Sequence, residues 1–145
     1  MNDLRSMLAR MEGLAASPAW TMDELHEMAG LVLDLGVHEL PPPARREHRA
    51  QTRRVEETYR RHLQASPRDA RSLNNLAALL LSSGQVAEGH LWATKALAEA
   101  PEIRSVHENM MIADVYNARR PHHEIPAGVQ DSPDFLVAYF DPQAH

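Results

Sequence analysis

The chain has 145 residues, no cysteine and a formal net charge of −5, from 15 basic and 20 acidic residues. Its length suits one compact domain over residues 1–145, and the lack of cysteine excludes disulfides and thiolate metal sites. No apolar run approaches the roughly 20 residues that cross a bilayer, and charges interrupt the N-terminal stretch where a signal peptide would be apolar. We therefore expect a cytoplasmic protein without membrane insertion.

Two helices are predicted near the N-terminus, and the first of them is amphipathic. Apolar residues recur at three- and four-residue spacing over 3–15, which places them on one helical face: Leu4, Met7, Leu8, Met11 and Leu14. Thr21 and Glu24 match a capping box that begins the second helix. Gly36 is placed to end that helix in the left-handed conformation.

A long helix and three shorter ones follow. The prolines at 41–43 cannot lie inside a helix, but the last of them suits a first turn, so the long helix is predicted over about 44–65. The shorter helices are predicted over 70–82, 86–99 and 104–118. Asp69 can cap the first of these. Segment 41–71 holds nine arginines against four acids, so the long helix is basic between acidic flanks.

A short C-terminal helix is predicted over 133–140. Ser132 is suited to cap it and Pro133 to occupy its first turn. The residue types of this stretch would also fit a strand, but a lone strand in an all-helical chain would have no strand to pair with. The helix is therefore the preferred interpretation.

The chain contains a 34-residue period. Val55, Tyr59, Leu63 and Pro67 precede Gly89, Ala93, Leu97 and Pro101 by 34 positions. Residues 25–36 match residues 73–84 at seven of twelve positions, at an offset of 48, which leaves 14 extra residues around the proline run. A period of this length indicates stacked structural repeats.

Large, small and turn residues occur in the regular copy at the positions typical of one repeat family: Leu73, Leu76, Ala77, Leu80, Gly84, Ala93, Ala96, Leu97 and Pro101. The chain thus resembles the tetratricopeptide repeat family over residues 21–118. Gly89 departs from the family pattern, which usually has alanine at this close contact. The resemblance implies an all-α fold, a right-handed superhelical stack of antiparallel helical hairpins with N- and C-terminal capping helices.

The resemblance implies three repeats with a cap at each end. Neighbouring elements are needed because a hairpin alone cannot bury its apolar surface. An N-terminal capping helix lies within 1–20, and repeat 1 with its insertion spans 21–67. Repeat 2 spans 68–101. A degenerate repeat 3 and the C-terminal cap span 102–140.

The function implied by the resemblance is recognition of a protein or peptide, by an adaptor or chaperone-like module, in a concave groove built from the first helix of each repeat. Asn75 and Asn109 are 34 residues apart and match the family's asparagine ladder, in which the amide donates to and accepts from a peptide backbone. Glu27 occupies the matching position of repeat 1, so the ladder has at most two rungs. The predicted groove residues are Arg71, Asn75, Ser82, Asn109 and Tyr116. The alternative is that both asparagines are merely tolerated on a polar helix surface.

The basic helix is a second candidate surface. Its arginines form a strip roughly 80° wide with one residue just beside it: Arg45, Arg46, Arg49, Arg53 and Arg60. This surface could bind an acidic protein, phosphate or nucleic acid. Nucleic acid is disfavoured, because the chain is acidic overall and aromatic residues for base stacking are missing. A solvated face, or a match to the acidic helix 22–35 of the same chain, is the alternative.

Catalysis, metals and cofactors are not expected. His122, His123 and Glu124 could supply zinc ligands, but adjacent histidines on a loop rarely converge on one ion and no second cluster completes the set. No phosphate-binding loop or nucleophile–base arrangement is recognisable, so we predict no catalytic residue and no enzyme. If the C-terminal cap detaches, its apolar face could dock in a neighbour's groove and produce a homodimer.

Overall fold

A computed structural model of the chain describes residues 3–118 and 123–139. In these ranges the backbone forms six α-helices and no strand, which confirms the all-α prediction. The helices are α1 Leu4–Ala15, α2 Met22–Leu35, α3 Pro42–Ala65, α4 Ala70–Ser82, α5 Val86–Glu99 and α6 Arg104–Ala118. None of the helices in the described ranges combines the length and apolar character needed to cross a membrane.

The chain divides into two compact units, residues 1–58 and 59–145, with α3 running through the boundary. In the first unit α1 packs against α2. The buried side chains of α1 are Met7, Met11 and Leu14. The predicted capping box of α2 is present, because Thr21 accepts from the Glu24 backbone N–H while the Glu24 carboxylate accepts from the Thr21 N–H.

The end of α2 differs from the prediction. Gly36 has a φ of −63°, in the right-handed region, so the expected left-handed cap is wrong. The Gly36 N–H donates to the Val32 carbonyl at 3.1 Å and the His38 N–H to the Leu35 carbonyl at 3.1 Å. The His48 ring nitrogen Nε2 also lies 2.6 Å from the Val32 oxygen. Because these contacts satisfy carbonyls of the last turn, a left-handed residue is not needed there.

Arg54 ties together the segment that follows α1. Its guanidinium donates to the carbonyls of Ala15 at 3.1 Å and Ser17 at 2.6 Å. The same group lies 3.8 Å from the centroid of the Trp20 ring, and the Trp20 indole N–H donates to the Leu14 carbonyl at 2.9 Å. One side chain thus satisfies carbonyls at the end of a helix and stacks on an aromatic ring.

Replacing Arg54 with alanine should lower the free energy of unfolding by about 1 kcal/mol, because two charge-assisted hydrogen bonds and a cation–π contact are lost at a half-buried site. Urea unfolding followed by tryptophan fluorescence measures the change. Arg53→Ala is the matched control, since Arg53 is exposed and its removal should stay within about 0.5 kcal/mol. Equal losses in both variants would contradict this role of Arg54.

In the second unit α4 packs against both α5 and α6, and α5 packs against α6. Residues 72–81 of α4 are buried without interruption. Asp69 caps α4 as predicted, since its carboxylate accepts from the Ser72 backbone N–H. Gly84 has a φ of 82° and turns the chain into α5. Helix α4 is therefore the central element of this unit.

The predicted C-terminal capping helix is wrong. Residues 133–134 form one turn, closed by the Phe135 N–H donating to the Ser132 carbonyl at 3.2 Å, and residues 135–139 are not helical; residue 140 lies outside the described ranges. Upstream, Gln130 forms an isolated parallel bridge with Ile103 at the start of α6. An extended backbone is stable here without a neighbouring strand, because side-chain amides supply its hydrogen bonds.

Candidate functional site

The C-terminal segment, residues 134–139, lies along α4 and α6 within the second unit. Side chains of both helices bind its backbone. The contacts centre on an asparagine cluster formed by Asn74, Asn75 and Asn109, all at most 1% exposed. The candidate site is therefore a groove between two helices, occupied by the chain itself.

Asn75 and Asn109 bind the segment in the same way. The Asn75 side chain donates to the Asp134 carbonyl at 3.2 Å and accepts from the Leu136 N–H at 2.9 Å. The Asn109 side chain donates to the Leu136 carbonyl at 2.9 Å and accepts from the Ala138 N–H at 2.7 Å. Each amide thus joins a carbonyl to the N–H two residues later, as a neighbouring strand would.

Asn74, which was not predicted from the sequence, connects the two asparagines. Its amide nitrogen donates to the Asn75 oxygen at 3.1 Å and to the Leu136 carbonyl at 2.8 Å. Its own oxygen accepts from Asn109 at 2.9 Å. The 34-residue spacing gives no signal for it, because Glu108 stands at the matching position; the adjacent pair of asparagines is the only hint.

Tyr59 of α3 extends the buried hydrogen-bond network of the asparagine cluster. Its side chain is fully buried and is hydrogen-bonded to Asn75. Burial raises the pKa of Tyr59, so the phenol remains neutral and the contact stays an uncharged hydrogen bond. A buried polar network of this kind fixes the orientation of the Asn75 amide.

Arg71 and Ser82 bind the two ends of the segment. Arg71 donates to the Asp134 carbonyl at 3.0 Å and lies 3.6 Å from its carboxylate. Ser82 accepts from the Tyr139 N–H at 2.8 Å while donating to the Ala78 carbonyl at 2.7 Å. Contacts therefore extend over the whole length of the segment.

The apolar floor of the groove lies under Ala138. The floor consists of Ala78, Leu81, Ala113 and Tyr116, which form one buried cluster with Ala138. Leu136 packs against the same cluster and is half-buried. The backbone is thus held by amides, while alternate side chains of the segment meet the floor.

Helix and segment match in length. From Arg71 to Ser82 an α-helix rises about 16.5 Å at 1.5 Å per residue. From Asp134 to Tyr139 an extended chain covers about 16.5 Å at 3.3 Å per residue. This agreement explains why residues of α4 at these spacings meet the segment at both ends, with the segment running parallel to the helix.

Four of the five arginines predicted for a basic surface are exposed, and the fifth forms an ion pair. Arg45, Arg46, Arg49 and Arg53 are exposed. Arg60 instead forms a bidentate pair with the Glu88 carboxylate, at 2.9 and 3.0 Å. That pairing reduces what Arg60 can offer to an external partner.

His123 of the predicted metal candidates contacts His107, whereas His122 lies outside the described ranges. His107 Nδ1 lies 2.6 Å from His123 Nε2, and His107 Nε2 lies 2.6 Å from the Pro101 carbonyl oxygen. Since a carbonyl only accepts, His107 Nε2 carries a hydrogen, and only one proton fits between the two rings. The His123 backbone N–H donates to Asp114 at 2.9 Å, which fixes the His123 backbone to α6.

Lowering the pH should release the His123 backbone from Asp114. Burial, and then the neighbouring His107, lower the pKa of His123, so the released state binds more protons than the bound state. The stabilising contribution is therefore present above the ordinary value of about 6.5 and is lost as the pH falls through the lowered pKa. Amide exchange of the His123 N–H, corrected for its intrinsic rate, should be faster at pH 5 than at pH 7.5. A His123→Gln control should lack this dependence, and unchanged protection in the native chain would contradict the prediction.

The sequence-predicted groove residues converge on the segment. Arg71, Asn75, Ser82 and Asn109 bind its backbone, and Tyr116 lies in the floor beneath it. That the groove is filled by residues of the same chain was not predicted. Comparisons with models of known protein families, with curated proteins and with solved structures returned no match.

Proposed function

We propose that the chain is a protein-interaction module, an adaptor or chaperone-like protein, that binds an extended segment of a partner protein in the groove between α4 and α6. The observation that carries the proposal is the binding of residues 134–139 through their backbone by Asn75 and Asn109. Backbone groups are common to all sequences, so another extended segment can make the same bonds.

The tetratricopeptide-like architecture belongs to the same proposal. Helices α4 and α6 would be the leading helices of repeats 2 and 3, with Asn75 and Asn109 as equivalent residues 34 positions apart. Equivalent positions on stacked repeats give equivalent contacts at a fixed spacing. The two-residue step between their contacts on the segment supports this interpretation. The polar groups that meet the segment are amides, a hydroxyl and a guanidinium, which suit recognition, so we propose no enzymatic role.

A displayed library of random nine-residue peptides tests the function, selected against the full chain with Leu136→Pro, which removes an N–H that holds the bound segment. Peptides bound in the groove should lose at least tenfold in affinity when Asn75→Ala and Asn109→Ala are added to this variant, because each amide supplies two hydrogen bonds. Asn117→Ala in the same variant is the matched control, since Asn117 is an exposed asparagine on α6. Selected peptides that bind equally tightly with and without the two asparagine substitutions would contradict the proposal.

The exposed arginines of α3 favour a second candidate, an electrostatic surface for an acidic protein. Arg45, Arg46, Arg49 and Arg53 are exposed and form no ion pair with any residue of the ranges 3–118 and 123–139. Salt separates the two functions, because exposed charge contacts are screened by added salt whereas amide contacts to a backbone depend on it weakly. Binding that collapses between 50 and 500 mM salt, and that survives in the double asparagine variant, would favour this surface.

A further inference from the structure

We infer that residues 134–139 are an intramolecular competitor for the groove, and that its external ligand carries a large apolar residue followed two positions later by alanine or glycine. This inference rests on the proposed function and specifies its ligand. The C-terminal segment itself supplies the pattern, with Leu136 and Ala138 at the two positions.

The small position is set by the groove floor. Ala138 is 6% exposed and is enclosed by the buried cluster of Ala78, Leu81, Ala113 and Tyr116. Its N–H is held by Asn109 at 2.7 Å, so the backbone cannot withdraw to make room for a longer side chain. A close-packed interior tolerates few added atoms. The site therefore admits alanine or glycine.

The other positions are less restricted. Leu136 is half-buried and packs on the edge of the floor, which suits a large apolar side chain. Phe135 and Val137 are also only half-buried, and Tyr139 is 50% exposed. Selection by the groove thus falls mainly on one apolar and one small residue, the two that pack with the floor cluster.

Competition follows from the use of the same atoms. The donor and acceptor of Asn75 and Asn109 that a ligand would need already bind the segment. The segment is also anchored just upstream, where Gln130 bridges to the start of α6 and Arg104 pairs with Asp131 at 2.9 Å. A tethered competitor acts at an effective concentration on the order of millimolar, so a free peptide in the micromolar range binds only after the segment leaves.

Fluorescence anisotropy with two labelled peptides tests the inference on the full chain. One peptide carries the sequence of residues 132–140, SPDFLVAYF, and the other has tryptophan in place of its alanine. Two chain variants open the groove: Ala138→Trp, whose side chain cannot fit over the floor, and Leu136→Pro, which removes the N–H that Asn75 binds. Val137→Trp is the matched control, because Val137 lies between the two positions that meet the floor.

The native chain and the Val137→Trp control should bind the alanine peptide weakly. Ala138→Trp and Leu136→Pro should bind it at least tenfold more tightly, and both should bind the tryptophan peptide at least tenfold more weakly than the alanine peptide. Circular dichroism verifies that both variants keep their helices, and having two variants allows for misfolding of one.

Each of the other possible outcomes would overturn one part of the inference or of the proposed function. Equal affinity of the native and opened chains for the alanine peptide, with binding still abolished by Asn75→Ala and Asn109→Ala, overturns the competitor and leaves the proposed function standing. Equal binding of both peptides overturns selection for a small residue. A native dimer that Leu136→Pro converts to a monomer overturns the intramolecular origin of the bound segment. Folded, opened variants that bind neither these peptides nor any library peptide would contradict the proposed function itself.

Discussion

Alanine at both Asn75 and Asn109 is expected to release residues 134–139 from the groove and to raise amide exchange at Leu136 and Ala138 by about 100-fold. The two substitutions remove the hydrogen bonds that hold both N–H groups, at 2.9 and 2.7 Å. A loss of about 1.4 kcal/mol per rung is within the range measured for buried hydrogen bonds and corresponds to tenfold each. Exchange followed by NMR or mass spectrometry measures it.

The helices should survive this double substitution, because they are closed by their own backbone bonds and packed through apolar faces. Helical circular dichroism is therefore expected to change little. Asn117→Ala, on the exposed face of α6, should leave the exchange rates of the segment unaltered. Continued protection of Leu136 and Ala138 in the double variant would mean that other contacts hold the segment.

Replacing Gly89 with alanine is expected to lower the free energy of unfolding by about 2 kcal/mol, although alanine is the better helix former by about 1 kcal/mol. An added Cβ would lie 2.8 Å from both Cγ and Cδ2 of Leu81 and 3.2 Å from its backbone nitrogen. Those atoms belong to a buried helix and cannot simply move aside. Since Leu81 is part of the groove floor, the C-terminal segment should loosen as well.

Gly13→Ala provides the control for this substitution. Gly13 lies in α1, and an added Cβ there would meet no atom within 4 Å. It should therefore raise the free energy of unfolding, by up to about 1 kcal/mol. Urea titrations of the two variants measure both changes. Stabilisation by Gly89→Ala of the same size would contradict close packing against Leu81.

Features fixed by local chemistry were predictable from the sequence. The Thr21–Glu24 capping box and the Asp69 cap depend on residues three positions apart, and both are present. The helix boundaries follow from such signals together with apolar periodicity, which is why they agree within two residues.

Features fixed by distant contacts were not predictable. Ser132 and Pro133 favour a helical start, and they produce one turn, but the backbone beyond it is bound by Asn75 and Asn109, which are far away in sequence. The residue types of 132–139 do not indicate that such distant partners exist. Asn75 and Asn109 could be predicted as groove residues because they are 34 positions apart, which is the repeat period of the sequence. Asn74 could not be predicted in this way, because it has no asparagine counterpart at that spacing.

The hydrogen bonds of the groove fix the register of the chain bound in it. Asn75 and Asn109 each span a carbonyl and the N–H two residues later, so the contacts advance along the bound chain in steps of two. A bound chain displaced by one residue would turn Leu136 and Ala138 away from the floor and present the wrong edge of its backbone. Displacement by two residues restores the bonding pattern, so the groove distinguishes odd from even shifts of whatever lies in it.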